Sequence, residues 1–278
     1  MSAEAATVPR VRCRQIVEND LGALADMFMI GFPHHKREFW ETGLARVAAL
    51  PSIEGLPRIG YTLESERGLV GALLTISSRR GGQIISNVSA WYVEPPYRAH
   101  STLLTAMATK HRHVIYLNAS PADHTVRTLE SMGWKPYNFG RSAAFPALGW
   151  GGGKVREAIP SRLPERELLE DHRALGFISV VCEKDGEDFP FVFKPRRTEG
   201  RQLPLMELIF CRSTSQFERC GAALGRYFLT RGSLGFILDG KVKGMLSHYV
   251  EGKQPRLYKG PRPPELNDLA YTEKVFFA

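Results

Sequence analysis

The stretch Val93-Glu94-Pro95-Pro96-Tyr97-Arg98-Ala99-His100-Ser101-Thr102-Leu103-Leu104 gathers residue types suited to holding an anion. It follows a strand-like apolar run, 84–93, which the two prolines prevent from continuing. A helix-like run from 98 to 112 comes next, so Arg98, Ala99, His100, Ser101, Thr102 and Leu103 fall at a helix N-terminus. The first turn of a helix carries unpaired N–H groups and the positive end of the dipole. With the Arg98 guanidinium and the Ser101 and Thr102 hydroxyls, those groups predict a site for a phosphorylated ligand. The plain alternative is a strand-to-helix turn in which Ser101 only caps the helix.

Other reactive residue types are sparse. His34 and His35 stand side by side between two helical runs, where they are suited to binding an acceptor or to base chemistry near neutral pH. A solvated loop is the bland reading of the same pair. His111, His113 and His124 are too scattered for a metal site, and no HExxH or Cys/His cluster occurs, so no metal is expected. Asp171-His172 reads as a surface pair. Cys13, Cys182, Cys211 and Cys220 form no CxxC, the usage of a reduced, cytoplasmic protein. Nucleophile-elbow, P-loop and dinucleotide fingerprints are absent from the sequence.

A frame for these residues can be read from periodicity. Residues 11–17 alternate as a first strand, and Leu21, Leu24, Ala25, Phe28 and Met29 fall at helical spacing. A second helix spans 37–50 and stops at Pro51. Residues 58–64 and 69–77 form a hairpin through Gly68, and 84–93 is the fourth strand. After the helix at 98–112 come a strand at 114–118, a helix at 123–132 ending at Gly133, and a strand at 134–139. Gly151-Gly152-Gly153 centres a Gly/Pro-rich stretch of linker composition at 149–164. Beyond it the pattern recurs: a helix at 164–175, a hairpin of 177–183 and 189–194, a strand at 205–211, a helix at 216–231 and a strand at 234–238. The final strand expected is 271–277. These readings divide the chain into a domain at 1–148, the linker, and a second domain at 165–278.

The lead-in Val93-Glu94-Pro95-Pro96-Tyr97-Arg98, the block Glu130-Ser131-Met132-Gly133-Trp134 and Asn118 at a strand end resemble the GNAT superfamily of acyl-CoA-dependent N-acyltransferases. The resemblance covers roughly 11–141, through the order of elements more than through identities, and the second half is similar as a divergent repeat. It implies an α/β fold with a mixed sheet, duplicated in tandem. It also implies acetyl-CoA or another acyl-CoA as co-substrate, with pantetheine between the fourth and fifth strands. Tyr92 and Val93 would pair with its amides, the turn from Arg98 to Leu103 would hold the pyrophosphate, and Asn118 completes the set. The region holding His34 and His35 covers the acceptor pocket in that family. Departures are equally specific: Ser101 and Leu103 stand where the family's phosphate loop has glycine. Leu129 stands where a proton-donating Tyr is common, and the fourth strand offers only Ser86, Asn87 and Ser89 where many members have a Glu base. The catalytic candidates are then a water held by Asn87 and Ser89, with Tyr116 or Tyr97 as proton donor to the thiolate.

Composition bounds the function without choosing it. The 278 residues carry 43% hydrophobic and 24% charged side chains, enough for a packed core. A net charge of +8 suits an anionic ligand, yet it divides evenly between the two halves of the chain and forms no basic arm. Nucleic acid is therefore disfavoured, and no run approaches a membrane span. Acyl transfer to a small-molecule or protein amine is the first expectation. An aminoacyl-tRNA-dependent transferase and a non-catalytic coenzyme A-binding module are the alternatives. Trp40 and Trp150 read as exposed, lining either a large pocket or a homodimer face.

Overall fold

A computed structural model describes residues 10–197 and 203–278. In chain order its strands and α-helices are β1 (Arg12–Gln15), α1 (Leu21–Gly31), α2 (Arg37–Ala48), β2 (Gly60–Ser65), β3 (Gly68–Arg80), β4 (Gln83–Val93), α3 (Ser101–Ala108), β5 (Ile115–Asn118) and α4 (Val126–Ser131). Then follow β6 (Lys135–Phe145), β7 (Lys154–Arg156), α5 (Arg166–Ala174), β8 (Ile178–Lys184), β9 (Glu187–Arg197) and β10 (Pro204–Phe210). The chain closes with α6 (Thr214–Leu229), β11 (Gly235–Asp239), β12 (Leu246–Lys259) and α7 (Glu273–Phe276). Two compact units result: Met1–Lys135 with Leu257–Pro263 and Tyr271–Ala278, and Pro136–Arg256 with Pro264–Ala270.

In the first unit the strand order is β1-β2-β3-β4-β5, followed by the end of β12. Neighbours are antiparallel except β4 and β5, which run parallel. β3 is apolar on both faces through its middle because both faces are covered. On one side Tyr61, Leu63, Leu73, Val88, Leu104, Tyr116 and Leu129 form a shared core. α1 packs against β3 and β4, burying Leu24, Ala25 and Phe28. α2 buries Trp40, Gly43, Leu44, Val47 and Ala48, an apolar stripe at helical spacing.

The second unit orders its strands β6-β11-β10-β9-β8-β7, with the first part of β12 beside β6. α6 buries Phe217, Cys220, Leu224 and Phe228 against Phe191, Phe193 and Phe236. The parallel pair β10 and β11 flanks the connecting α6, as β4 and β5 flank α3.

Several sequence expectations need correction. Residues 271–277 are not a strand; Thr272 accepts from the Val275 and Phe276 amides and starts the single turn of α7. The Gly/Pro-rich stretch contains β7, which pairs with β8 and belongs to the second unit. The compact units part between Lys135 and Pro136, and the segments Leu257–Pro263 and Tyr271–Ala278 belong to the first. Long β12 escaped the sequence reading because Gly252-Lys253-Gln254-Pro255, residues of turn composition, lie in its middle. Trp40 is buried among aromatic rings, whereas Trp150 is fully exposed. His172 is buried, its Nδ1–H donating to the Leu168 carbonyl at 2.7 Å, so the pair with Asp171 is not a surface pair. Among the described residues, no helix is long and apolar enough to cross a membrane.

Candidate functional site

β4 and β5 stay in register only from Ile85 with Ile115 to Asn87 with Leu117. Beyond that point they separate, and β4 continues to Val93 along β3 alone of its two neighbours. Within this stretch Ala72 pairs with Tyr92 and Leu74 with Ser89, so Ala90 and Trp91 together oppose Leu73. That is a β-bulge, and it leaves backbone groups out of the ladder. Ala90 adopts φ of 46°, a left-handed conformation that costs an alanine about 1–2 kcal/mol. Strained backbone thus marks the open side of the strand pair.

The turn after β4 differs from the expected helix start. Residues Pro95–His100 form a 3-10 helix, and α3 begins at Ser101 and ends at Ala108, short of residue 112. Tyr97 N–H donates to the Glu94 carbonyl at 2.9 Å, and Ser101 N–H donates to that of Arg98. The Ser101 amide is therefore committed to the preceding 3-10 turn, which runs directly into α3. Arg98, Ala99, Thr102 and Leu103 are exposed, and His100 and Ser101 are half-buried. Tyr97 is buried in the core and does not face the turn's ligand side as an acid would. Tyr92, half-buried, contacts the Phe32 ring, and burial raises its phenol above the usual range, with Glu94 adding and Arg98 opposing. A Cβ on Gly31 would lie 2.4 Å from the Tyr92 ring, so α1 meets β4 closely only because that residue is glycine.

At the last paired position, Asn87 is 1% exposed. Its Nδ2 donates to Glu273 Oε2 at 2.5 Å, while its Oδ1 is buried without a hydrogen-bond partner. The other carboxylate oxygen, Oε1, accepts from Ser120 Oγ at 2.6 Å, and Ser120 N–H donates to Asn118 Oδ1 at 3.2 Å. A carboxylate from α7 therefore joins the end of β5 to β4 where the two strands part. Asn118 is held at the end of β5, paired with Leu257. Ser89 is half-buried, next to the bulge.

Tyr116 lies elsewhere. It is 1% exposed within the core, its hydroxyl accepts from the His111 amide at 3.3 Å, and burial pushes its pKa up to about 12. A proton donor to a thiolate in the opening is not what this environment makes of it.

Beside α2, a cavity of about 370 Å³ is lined by His34, His35, Arg46, Phe39, Phe277 and Ala278, among others. Both histidines are exposed, and the His35 ring stacks on Phe39 with centroids 4.0 Å apart. Gly43 lets the tail approach: a Cβ there would lie 2.1 Å from the Phe277 ring. Arg46 Nη1 donates to the Phe276 carbonyl at 3.2 Å, and Trp40 meets Phe277 at 5.4 Å. One turn of chain thus runs from Asn87, at Glu273, to the histidine-lined cavity, at Phe276. Sequence reasoning missed Glu273, because it lies 186 residues from Asn87 in a segment read as a strand.

In the second unit β10 and β11 also part after a short register, from Leu205 with Gly235 to Glu207 with Ile237. There the chain itself enters the opening. Leu269 N–H donates to the Ile209 carbonyl at 2.8 Å, and Cys211 N–H to the Asn267 carbonyl at 3.1 Å. The Asn267 side chain binds β11, accepting from Asp239 N–H at 2.6 Å and donating to the Asp239 carbonyl at 3.2 Å. Its Nδ2 also lies 3.2 Å from Thr214 Oγ1, at the start of α6.

No protein-family model matches the chain, and no curated protein sequence matches it. Solved structures do. A candidate acetyltransferase from Pyrococcus horikoshii matches with a TM-score of 0.55 and 13% identity, over 98% of this chain and 96% of that one. A GCN5-related N-acetyltransferase from Anabaena variabilis gives 0.58 and 11%, over 90% of this chain and 72% of that one. Another from Kribbella flavida gives 0.56 and 13%, over 92% and 72%. At these identities the likeness is one of fold: the chain has the mixed α/β fold of GCN5-related N-acetyltransferases across most of its length.

Proposed function

We propose that this protein transfers an acyl group, acetyl first among the candidates, from acyl-CoA to an amine. The observation that carries the reading is the opening between β4 and β5, with the bulge at Ala90 on its edge and the exposed first turn of α3 after it. The parting strand leaves main-chain groups near Tyr92 and Val93 to pair with the amides of pantetheine. Arg98 and the Ser101 and Thr102 hydroxyls take the pyrophosphate, with Ala99, His100 and Leu103 shaping the turn. A bulge amide left out of the ladder can polarise the thioester carbonyl. The buried, unpartnered Asn87 Oδ1 fits this use, since an orphaned acceptor in a polar opening is one that a ligand donor can satisfy. His34 and His35 then belong to the wall of the acceptor cavity.

The repeated parallel pair with its connecting helix supports descent of the two units from one duplicated module. A coenzyme A-binding protein without turnover is the second reading, favoured by Leu129 and by the core position of Tyr116. Calorimetric titration with acetyl-CoA, followed by a turnover assay against amines, decides between them. Arg98→Ala and Ser101→Asp are expected each to weaken acetyl-CoA binding about tenfold or more while the fold stays intact, because one removes and the other opposes charge pairing with phosphate. Unchanged binding in both sinks the phosphate site.

A further inference from the structure

We infer that Glu273 is the general base of the transfer, carried into the first unit's opening by the C-terminal turn, and that Asn87 holds the attacking amine beside it. This rests on the acyl-transfer reading above. Asn87 and Glu273 meet at 2.5 Å where β4 and β5 part. Each Glu273 oxygen already accepts one bond, from Asn87 and from Ser120, and an ionised carboxylate oxygen has room for a second. Asn87 Oδ1 is buried and lacks a donor, although its own amide nitrogen is paired. An amine offers what both groups lack, one N–H to Asn87 Oδ1 and one to Glu273. Ser120 is a positioning residue, fixing the carboxylate from the β5 side.

The placement supplies what β4 itself lacks, since its polar residues near the opening are Ser86, Asn87 and Ser89, none of them a base. It is held by packing at the other end of the turn, where Phe277 sits on Gly43 and Arg46 binds the Phe276 carbonyl. In the step itself Glu273 takes a proton from the bound ammonium and later gives it to solvent, and the neutral amine nitrogen attacks the thioester carbon. The C–N bond forms and the C–S bond breaks with its electron pair on sulfur. A second proton, from the acylated nitrogen, passes to the thiolate directly or through solvent, giving the amide and free coenzyme A.

The test compares wild type, Glu273→Gln and Glu273→Ala, with acetyl-CoA as donor and tyramine, spermidine and hydroxylamine as acceptors. Acetyl-CoA binding is measured by calorimetry and turnover by release of coenzyme A thiol. Glu273→Gln keeps the shape and one acceptor oxygen, so its acetyl-CoA affinity and melting temperature should match wild type. Its kcat for the alkyl amines should fall about 100-fold or more, the usual weight of a general base. Hydroxylamine, already neutral at pH 7, should lose far less, and added formate should restore part of the Glu273→Ala rate. A purely structural latch would lose all three acceptors alike and gain nothing from formate. Wild-type turnover retained in Glu273→Gln overturns the base assignment and leaves acyl transfer standing. Failure of wild type to bind acetyl-CoA overturns the acyl-transfer reading itself, and binding without turnover of any acceptor overturns transfer to these amines and the base with it.

Discussion

One residue of β4 and one of β5 separate chemistry from packing. Ala90 holds φ of 46° at the bulge, where a glycine would sit without strain and a β-branched residue would not. Ala90→Gly should therefore be neutral or more stable by up to about 1 kcal/mol, the strain relieved being partly offset by the freedom glycine gains when unfolded. Ala90→Val should cost about 2 kcal/mol and lower turnover, because the bulge must shift; urea unfolding and the thiol-release assay check both. Tyr116 makes the opposite case. Its phenol is held by the core above its ordinary value, at about 12, so between about pH 10 and that value the unfolded chain ionises and the native chain does not. The stability it contributes is complete below about pH 10 and is lost as pH rises through its folded value. Tyr116→Phe should flatten that alkaline loss, cost about 1 kcal/mol at neutral pH through the unmet His111 amide, and leave kcat unchanged. A lost kcat with intact stability would return Tyr116 to the chemistry.

At the scale of elements, what the sequence declared was what local pattern can encode. α1, α2, the β2–β3 hairpin, β4, β5 and α6 each carry their own periodicity, turn glycine or proline stop, and their spans fall within a few residues of expectation. The turn at 95–100 was legible as a turn but not as a 3-10 helix, since two prolines forbid the strand without choosing between an open loop and a tightened one. Asn87 and Ser89 drew attention as polar residues of a strand on which the resembled family often has a glutamate base, and Asn87 lies where β4 and β5 part. Glu273 was not, because nothing local distinguishes a carboxylate that a distant strand will claim. α7 itself reads as a strand from Tyr271 to Phe277, an aromatic and β-branched run, and tertiary contacts override that propensity: Phe277 is drawn onto Gly43 and Trp40. Gly43→Val is expected to expel that ring, destabilise the first unit by about 1–3 kcal/mol and lower turnover more than acetyl-CoA affinity. Thermal unfolding and calorimetry on the same variant check the two halves of that expectation.

For the whole molecule, the repeated architecture raises the question of how many acyl-CoA molecules one chain holds. Both units contain a parallel strand pair that parts after a short register, with a helix between the strands in sequence. In the first unit, α7 reaches the opening through a side chain, Glu273, and the β4 main chain beyond Asn87 is left to other partners. In the second, the main chain of residues 267–269 lies between the strands, taking the Ile209 carbonyl and the Cys211 amide for itself. Asn267 adds two bonds to Asp239 and approaches Thr214 at the start of α6. Pantetheine would need those same β10 groups, and the chain's own segment competes as a covalently tethered ligand of high effective concentration. The expectation is one acetyl-CoA per chain, read as calorimetric stoichiometry. Asn267→Ala leaves the buried Asp239 amide without its acceptor and should cost about 2–3 kcal/mol in unfolding, yet the stoichiometry should stay at one, because the segment's main-chain bonds remain. Two sites per chain in wild type would show that the segment is displaced by ligand, and would make the second unit a binding module in its own right.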